Sequence, residues 1–487
     1  MDIQQIIKKH KWLIVIFVIA LLVRIAFVFS TPVQIWDETV YANLGYDLSN
    51  NQLDYSVANN GWSDFIPQSE GFYGWPNIGF RAPLLSYLLM PLYLFQLGFL
   101  VIFFIAIIGA LSVCLVYLIG KKLFNEKVAL YSAILFSLIP LHVVYSAKIL
   151  TGVLFTFFVL LTFFSFWKGY EEGNKKHKVL FGVFLALALL SRYTALWIMP
   201  IFLLYFLARD KSLKFLKDKY LWYSILAFFG TLIPWFIYGI FEYGNPIGAF
   251  IHGAKASAYW GGLQSWTFFF EYWWQMFSII GIIFVIALIY ILYKKDFLKN
   301  EVYLLLIWFA FFLGMAIYMP HKEDRFILAI VPTIALISGY FIDKIKKYKN
   351  LILIGLILIT LFSLSSQFYT TYNNSYTDTN KCFLESMDFL KNNAEKNSVI
   401  ITDESSVIYY YTKLETHFYP NPWNYDTLKN WAKNDYSNYQ VYVLFGDYII
   451  KPDGESEKIK TDLEENSKKI WECSKENGYS AVYEISA

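Results

Sequence analysis

Charge and cysteine are both scarce in this chain. Only 16% of the 487 residues are Asp, Glu, Lys or Arg, and the formal net charge is +3, too small to suggest nucleic acid. Three cysteines exclude a disulfide scaffold. There is no phosphate-binding Gly-rich loop, no repeat of 20–50 residues and no low-complexity tract. The first apolar run, Trp12-Phe29, has no small-residue cleavage site after it, so it reads as a retained helix rather than a signal peptide. What is abundant is apolar: 57% of residues are hydrophobic and 20% aromatic, with a mean hydropathy of +0.42.

Apolar runs of roughly 17–22 residues recur from Trp12 to Phe368, a length that a bilayer requires and a soluble core does not. They fall near 12–30, 98–120, 128–146, 149–168, 178–192, 193–208, 220–240, 272–293, 301–319, 326–343 and 350–367. With eleven spans, the basic groups Lys8–Lys11, Lys121–Lys127, Lys168–Lys178, Arg209–Lys219, Lys294–Lys299 and Lys344–Lys349 share one side, which the positive-inside rule makes cytoplasmic. The expected protein is therefore multi-pass, in a plasma membrane, with a cytoplasmic N-terminus and an extracytoplasmic C-terminal domain. Ala82-Gln96 is short and contains Pro83 and Pro91, so it is set aside as interfacial; counting it and adjusting a boundary gives up to thirteen spans.

Two outer loops result, 31–81 and 241–271, the second with Trp260, Trp266, Trp273 and Trp274 in or beside it. Such aromatics anchor at the interface and also suit sugar faces. Residues 1–367 form the membrane module and 368–487 a small α/β domain. Within the latter, 399–402, 407–411, 440–445 and 480–485 read as strands, and 381–393 and 456–472 as amphipathic helices. Cys382 and Cys473 both fall there and are able to pair if the domain faces an oxidising compartment.

The outer face collects the chain's most informative charges. Asp37 and Glu38 follow the first span. Taken alone they read as an ordinary interfacial acidic turn. Lys148 and Arg192, each with little or no outer loop around it, read singly as snorkelling side chains, and Arg24 inside the first span more strongly so. Together, Arg81, Lys148, Arg192, Lys322 and Arg325 would line one mouth opposite Asp37 and Glu38. Cations at headgroup depth suit a phosphate or pyrophosphate carried on a lipid tail. The carboxylates suit deprotonation of an acceptor hydroxyl. Two adjacent carboxylates without a matching histidine cluster make a weak metal site, so no cofactor is expected, with a divalent metal as the lesser alternative.

These residues carry a resemblance. Trp36-Asp37-Glu38-Thr39-Val40-Tyr41-Ala42, Arg81-Ala82-Pro83-Leu84-Leu85, Leu190-Ser191-Arg192-Tyr193-Thr194-Ala195 and Lys322-Glu323-Asp324-Arg325-Phe326, with Pro332 following, stand in the order found in GT-C glycosyltransferases. The branch resembled includes protein O-mannosyltransferases and lipid A aminoarabinose transferases. Tyr145-Ser146-Ala147-Lys148 resembles a further motif that usually continues to an acid, where this chain has Thr151 and Gly152. The resemblance runs from about residue 12 to 345. It implies a polytopic GT-C-like fold, a polyprenyl-phosphate (dolichyl or undecaprenyl) sugar as donor, and a hydroxyl of protein, lipid or glycan as acceptor. It implies that Asp37 is the base of an inverting displacement, with Glu38 assisting. Arg81, Lys148, Arg192, Lys322 and Arg325 would hold the donor phosphate, with Tyr41, Tyr193, Glu323 and His321 as further substrate contacts. The alternatives are a secondary transporter, a ligase using a lipid-pyrophosphate-linked oligosaccharide, and a non-catalytic binder of lipid-linked sugar.

Overall fold

The computed structural model describes residues 3–34, 36–53, 55–56, 81–259, 263–420, 422–448 and 455–486. Most of the first outer loop, and Trp260 in the second, lie outside these residues. The chain divides into two compact units. The first comprises Met1–Val28, Gly79–Leu85 and Phe99–Phe368; the second comprises Phe29–Ile78, Ser86–Gly98 and Tyr369–Ala487. The segment after the first span, with the acidic pair, thus belongs with the C-terminal residues, as does most of the helix Leu84–Leu94.

The first unit is helical. Among the described residues, eight helices are long and apolar enough to cross a bilayer: Lys11–Val28, Gly98–Leu123, Thr151–Glu171, Lys219–Tyr243, Trp273–Lys294, Asn300–Tyr318, Asp324–Lys344 and Lys349–Ser375. They account for eight of the eleven apolar runs. The other three runs are helical but shorter or broken. Residues 128–146 split into Glu126–Leu138 and Pro140–Tyr145, because Pro140 forces Ile139 out of helical geometry (φ −60°, ψ 119°). Lys175–Ser191 is a 17-residue helix, and 193–208 begins as a 3₁₀ turn, Tyr193–Trp197, before the helix Ile198–Asp210. Leu84–Leu94, at 11 residues, spans only about 16 Å and falls well short of a hydrocarbon core. Several helices start on side-chain caps beside the basic loops. Asn125 Oδ1 accepts from the amides of Lys127 and Val128, Asn174 from His177, and Asp218 from Tyr220, each satisfying donors that a helix start leaves unpaired.

Arg24 does not snorkel. It is 0% exposed. Its guanidinium donates to the Ala20 carbonyl at 2.9 Å, the Ser137 carbonyl at 3.2 Å, Ser146 Oγ at 3.2 Å and His142 Nδ1 at 3.0 Å. The break at Pro140 exposes the carbonyl and hydroxyl groups that receive it, so the cation is satisfied without reaching water. Gly109 makes room: a Cβ there would lie 2.3 Å from Ser146 Oγ and 2.9 Å from Arg24 Nε. Gly109→Ala is expected to destabilise the protein by about 1–3 kcal/mol, read as a lower melting temperature in detergent. Gly314→Ala, on an open helix face with nothing within 4 Å, is the control, expected to be neutral or slightly stabilising.

The second unit contains a five-stranded mixed sheet of order β2-β1-β3-β5-β4. The strands are β1 Ser398–Ile401, β2 Glu415–His417, β3 Gln440–Gly446, β4 Lys468–Lys475 and β5 Gly478–Ile485. β1 runs parallel to β2 and β3, pairing Val399 with Glu415 and Val441, whereas β5 runs antiparallel to β3 and β4. Val399, Ile401, Val443, Leu444 and Val482 build its core with Phe383, Met387 and Leu390 from the helix Asp378–Asn393. Two segments differ from the sequence reading. Val407–Tyr411 lies in a helix, Ser405–Thr412; its β-branched and aromatic run is too short for period to decide, and tertiary packing overrides propensity. The helix expected over 456–472 ends at Asn466, and its tail becomes β4, an edge strand whose Lys468, Lys469 and Lys475 give it a polar look.

Cys382 is bonded to Cys473, tying that helix to β4 with Cα atoms 5.4 Å apart, 91 positions apart in sequence. Cys382→Ser is expected to lower stability by about 2–4 kcal/mol, seen as a melting-temperature drop that reductant reproduces in the native protein.

Candidate active site

The residues singled out by sequence fall into two sets, each within its own unit. In the first unit, Arg192 Nη1 and the Arg325 carbonyl lie beside Gly152 at the start of the helix Thr151–Phe166, and Lys148 precedes that helix in sequence. Arg192 stacks over the Phe326 ring, with its guanidinium carbon 4.7 Å from the centroid. Arg325 Nη2 donates to Glu323 Oε1 at 2.9 Å, and its Nε lies 2.5 Å from Oε2. His321 Nε2 sits 2.9 Å from the same carboxylate. Burial alone would raise the Glu323 carboxyl, but the Arg325 fork, with His321, holds it below the usual carboxylate range. Glu323 therefore stays anionic and fixes the guanidinium plane, a geometry matched to phosphate oxygens. Asp324 accepts from the Arg325 amide at 2.9 Å and from the Tyr145 hydroxyl. The Tyr145–Asp324 bond brings the Tyr145–Lys148 segment and the charged turn together, and Lys148 Nζ lies 5.3 Å from the Tyr145 ring centroid.

Gly152 stands near the place of the missing acid. A Cβ there would meet Leu328 Cδ1 at 2.5 Å, with Arg192 Nη1 and the Arg325 carbonyl each at 3.9 Å. A side chain at this position therefore requires the end of Leu328 to shift, while the turn's backbone stands at ordinary contact distance.

Tyr193 connects Arg81 to the group. Its hydroxyl reaches the Arg81 carbonyl at 3.5 Å and accepts from Trp235 Nε1 at 3.0 Å, and its ring packs on Phe250 at 4.7 Å. Lys322 faces differently. It is 4% exposed, and its ammonium donates to the Met319 carbonyl at 2.7 Å and the Gln264 carbonyl at 3.1 Å. One of its donors thus holds the turn to the loop at Gln264, whose amide donates to Pro320.

In the second unit, Asp37 and Glu38 occupy the first turn of a helix, Trp36–Asn50, rather than an irregular loop. The start of a helix favours negative charge. Asp37 is half-buried and Glu38 is 4% exposed. Burial, with Glu38 close by, pushes the Tyr410 hydroxyl up to about 12, and burial with Glu404 and Glu38 raises Tyr448. Tyr41 is buried, and its carbonyl accepts from Ser86 Oγ at 3.1 Å. Sequence reasoning passed over Tyr145, Asp324 and Trp235 as site residues. The first two lie inside quoted motifs and were legible there; Trp235 has no local signal. Among the described residues no cluster of three His, Cys, Asp or Glu is arranged to hold a metal ion.

The chain has a GT-C-like fold, a multi-pass membrane module with a small α/β domain. Residues 81–238, about a third of the chain, match the family model described as dolichyl-phosphate-mannose-protein mannosyltransferase. The structure superposes on ArnT from Cupriavidus metallidurans bound to undecaprenyl phosphate with a TM-score of 0.75, covering 98% of both chains at 11% identity. It superposes on the Archaeoglobus fulgidus oligosaccharyltransferase AglB, in complex with an inhibitory peptide and a dolichol-phosphate, at 0.56, covering 90% of this chain and 69% of that one at 15% identity. A protein of Aquifex aeolicus (strain VF5) described as uncharacterized is 27% identical over 284 residues, 56% of this chain and 55% of that relative's length.

Proposed function

We propose that this protein transfers a sugar from a polyprenyl phosphate to a hydroxyl acceptor on the outer face of a plasma membrane. The observation that carries the proposal is that Arg192 and the backbone of Arg325 meet at the start of the helix Thr151–Phe166, with Phe326 under the Arg192 guanidinium. Arg192, Arg325, Lys148 and Arg81 bind the donor phosphate, and Glu323 and His321 orient Arg325. Lys322 fixes the turn and contributes charge. Asp37 takes the acceptor's proton as its oxygen attacks the anomeric carbon. The bond from that carbon to the phosphate oxygen breaks, and the electron pair leaves with polyprenyl phosphate. Charge growing on that phosphate meets prepositioned cations, the electrostatic stabilisation that usually contributes most. Glu38 supports Asp37, Tyr193 and Tyr41 shape the contacts, and no metal is needed. The orientation, with the N-terminus cytoplasmic and residues 368–487 outside, agrees with the clustered basic loops and with the Cys382–Cys473 disulfide.

The test is reconstitution in liposomes with radiolabelled polyprenyl-phosphate sugars, polyprenyl-pyrophosphate oligosaccharides and free sugars, with and without chelator. Label moving from the monophosphate donor into protein, lipid or glycan, chelator or not, is the expected result. Transfer only from the pyrophosphate donor would assign a ligase, the reading favoured by the likeness to the oligosaccharyltransferase. Uptake of free sugar without transfer would assign a transporter.

A further inference from the structure

The second unit holds a lysine that the reaction above does not use. Lys413 ends the helix Ser405–Thr412 at φ +59°, a left-handed position where helices favour glycine. Its ammonium lies 4.5 Å from the ring centroid of Tyr46, 5.1 Å from Tyr410, 5.3 Å from Tyr409 and 5.6 Å from Tyr93. It donates to Asn43 Oδ1 at 3.2 Å. A cation enclosed by four rings is held by their negative faces, yet the side chain gives up most of its water.

Asn43 belongs to a stripe on the helix that carries the acidic pair. Thr39, Asn43 and Asp47 recur every four residues and so share one helix face. All three bind the helix Ser405–Thr412 or its cap. Thr39 Oγ1 lies 3.1 Å from Ser406 Oγ, Asn43 Nδ2 donates to the Ser406 carbonyl at 2.8 Å, and the Tyr409 hydroxyl donates to Asp47 Oδ1 at 2.7 Å. Thr39 is two residues from Asp37 and adjacent to Glu38.

We propose that Lys413 is a positioning residue: from the C-terminal part of the chain it clamps the helix Trp36–Asn50 and so sets the direction in which Asp37 and Glu38 point. The functional consequence rests on the reading of Asp37 as the base, but the clamp itself does not. The C-terminal α/β domain then takes part in catalysis by holding the acid helix rather than by binding substrate.

The cage gives the clamp a pH signature. Burial pushes the Lys413 ammonium down to about 7, with Asp47 pulling the other way. The groups facing it are Asn43, Tyr46 and Asp47 from the acid helix, Tyr93 from Leu84–Leu94, and Tyr409 and Tyr410 from its own helix; Glu415, two residues on, is engaged by His417 at 2.8 Å. An opened clamp returns Lys413 to water and its ordinary value of 10.5. Between about 7 and 10.5 the open state therefore binds one proton more than the closed state. The closed state gains on the open one as pH rises through this window, by about tenfold per pH unit, and the balance is flat below about 7.

Hydrogen exchange of the amides of residues 38–48, measured in nanodiscs from pH 6 to 9 and corrected for intrinsic rates, reads this directly. Wild type is expected to show protection flat to about pH 7 and rising above it. In Lys413→Met the rise disappears and protection falls. In Lys413→Arg, whose charge is permanent, protection is largely retained while the rise is lost. An identical pH profile in wild type and Lys413→Met, or no rise in wild type, overturns the clamp. With polyprenyl-phosphate mannose as donor, Lys413→Met is expected to lower kcat and leave the donor KM unchanged. Full transfer activity in Asp37→Asn would instead remove the base while leaving the exchange result intact.

Discussion

Asp37→Asn is expected to lower transfer by about 10²–10⁴-fold while the protein folds and binds polyprenyl phosphate as before. Asparagine keeps the size and hydrogen-bonding reach of aspartate but cannot accept the acceptor's proton, and general-base help is typically worth that factor. The substitution sits in the first turn of its helix, where the half-buried side chain is exchanged for one of the same shape, so little stability is at stake. The measurement is a single-turnover transfer rate beside a binding curve for polyprenyl phosphate. A normal rate in the purified variant would take Asp37 out of the chemistry.

Arg192→Ala is expected to weaken polyprenyl-phosphate binding by roughly 10–100-fold, the loss that follows from removing a charged hydrogen-bond donor worth about 1.5–3 kcal/mol. Acceptor affinity should change little. The guanidinium carbon already rests 4.7 Å from the Phe326 ring centroid, so less ordering is needed on binding. Arg192→Lys is expected to recover only part of the loss, because an ammonium cannot reproduce the fork. Unchanged lipid-phosphate affinity in Arg192→Ala would contradict the phosphate role.

Asp37 and Arg192 read blandly when taken singly; what is strong in the sequence is the frame around them. Long apolar runs and the loops of lysine and arginine between them are set by the bilayer, so they survive without tertiary information. The strands at 399–402, 440–445 and 480–485 are buried in the sheet, and their β-branched runs announce them. What failed was local pattern without context. Val407–Tyr411 looks like a strand because Val, Ile and Tyr suit one, yet Ser406, Tyr409 and Lys413 engage the acid helix at helical spacing. Arg24 looked like a snorkelling residue because three of its four partners lie 113–122 residues away. Lys413 carried no signal for the same reason, with Asn43 separated from it by 370 positions. The acidic pair was legible as a candidate, but its placement in a helix was not, because only that helix's contacts with residues beyond 400 give its polar stripe a partner.

The most direct measurement follows both halves of one donor. Reconstituted protein is given polyprenyl-phosphate mannose labelled in the sugar and in the phosphorus. The account predicts that the sugar label appears on an acceptor hydroxyl with its anomeric configuration inverted, while all phosphorus label stays on the lipid as the monophosphate. Phosphorus travelling with the sugar, retention of configuration, or sugar crossing the membrane unreacted would contradict it.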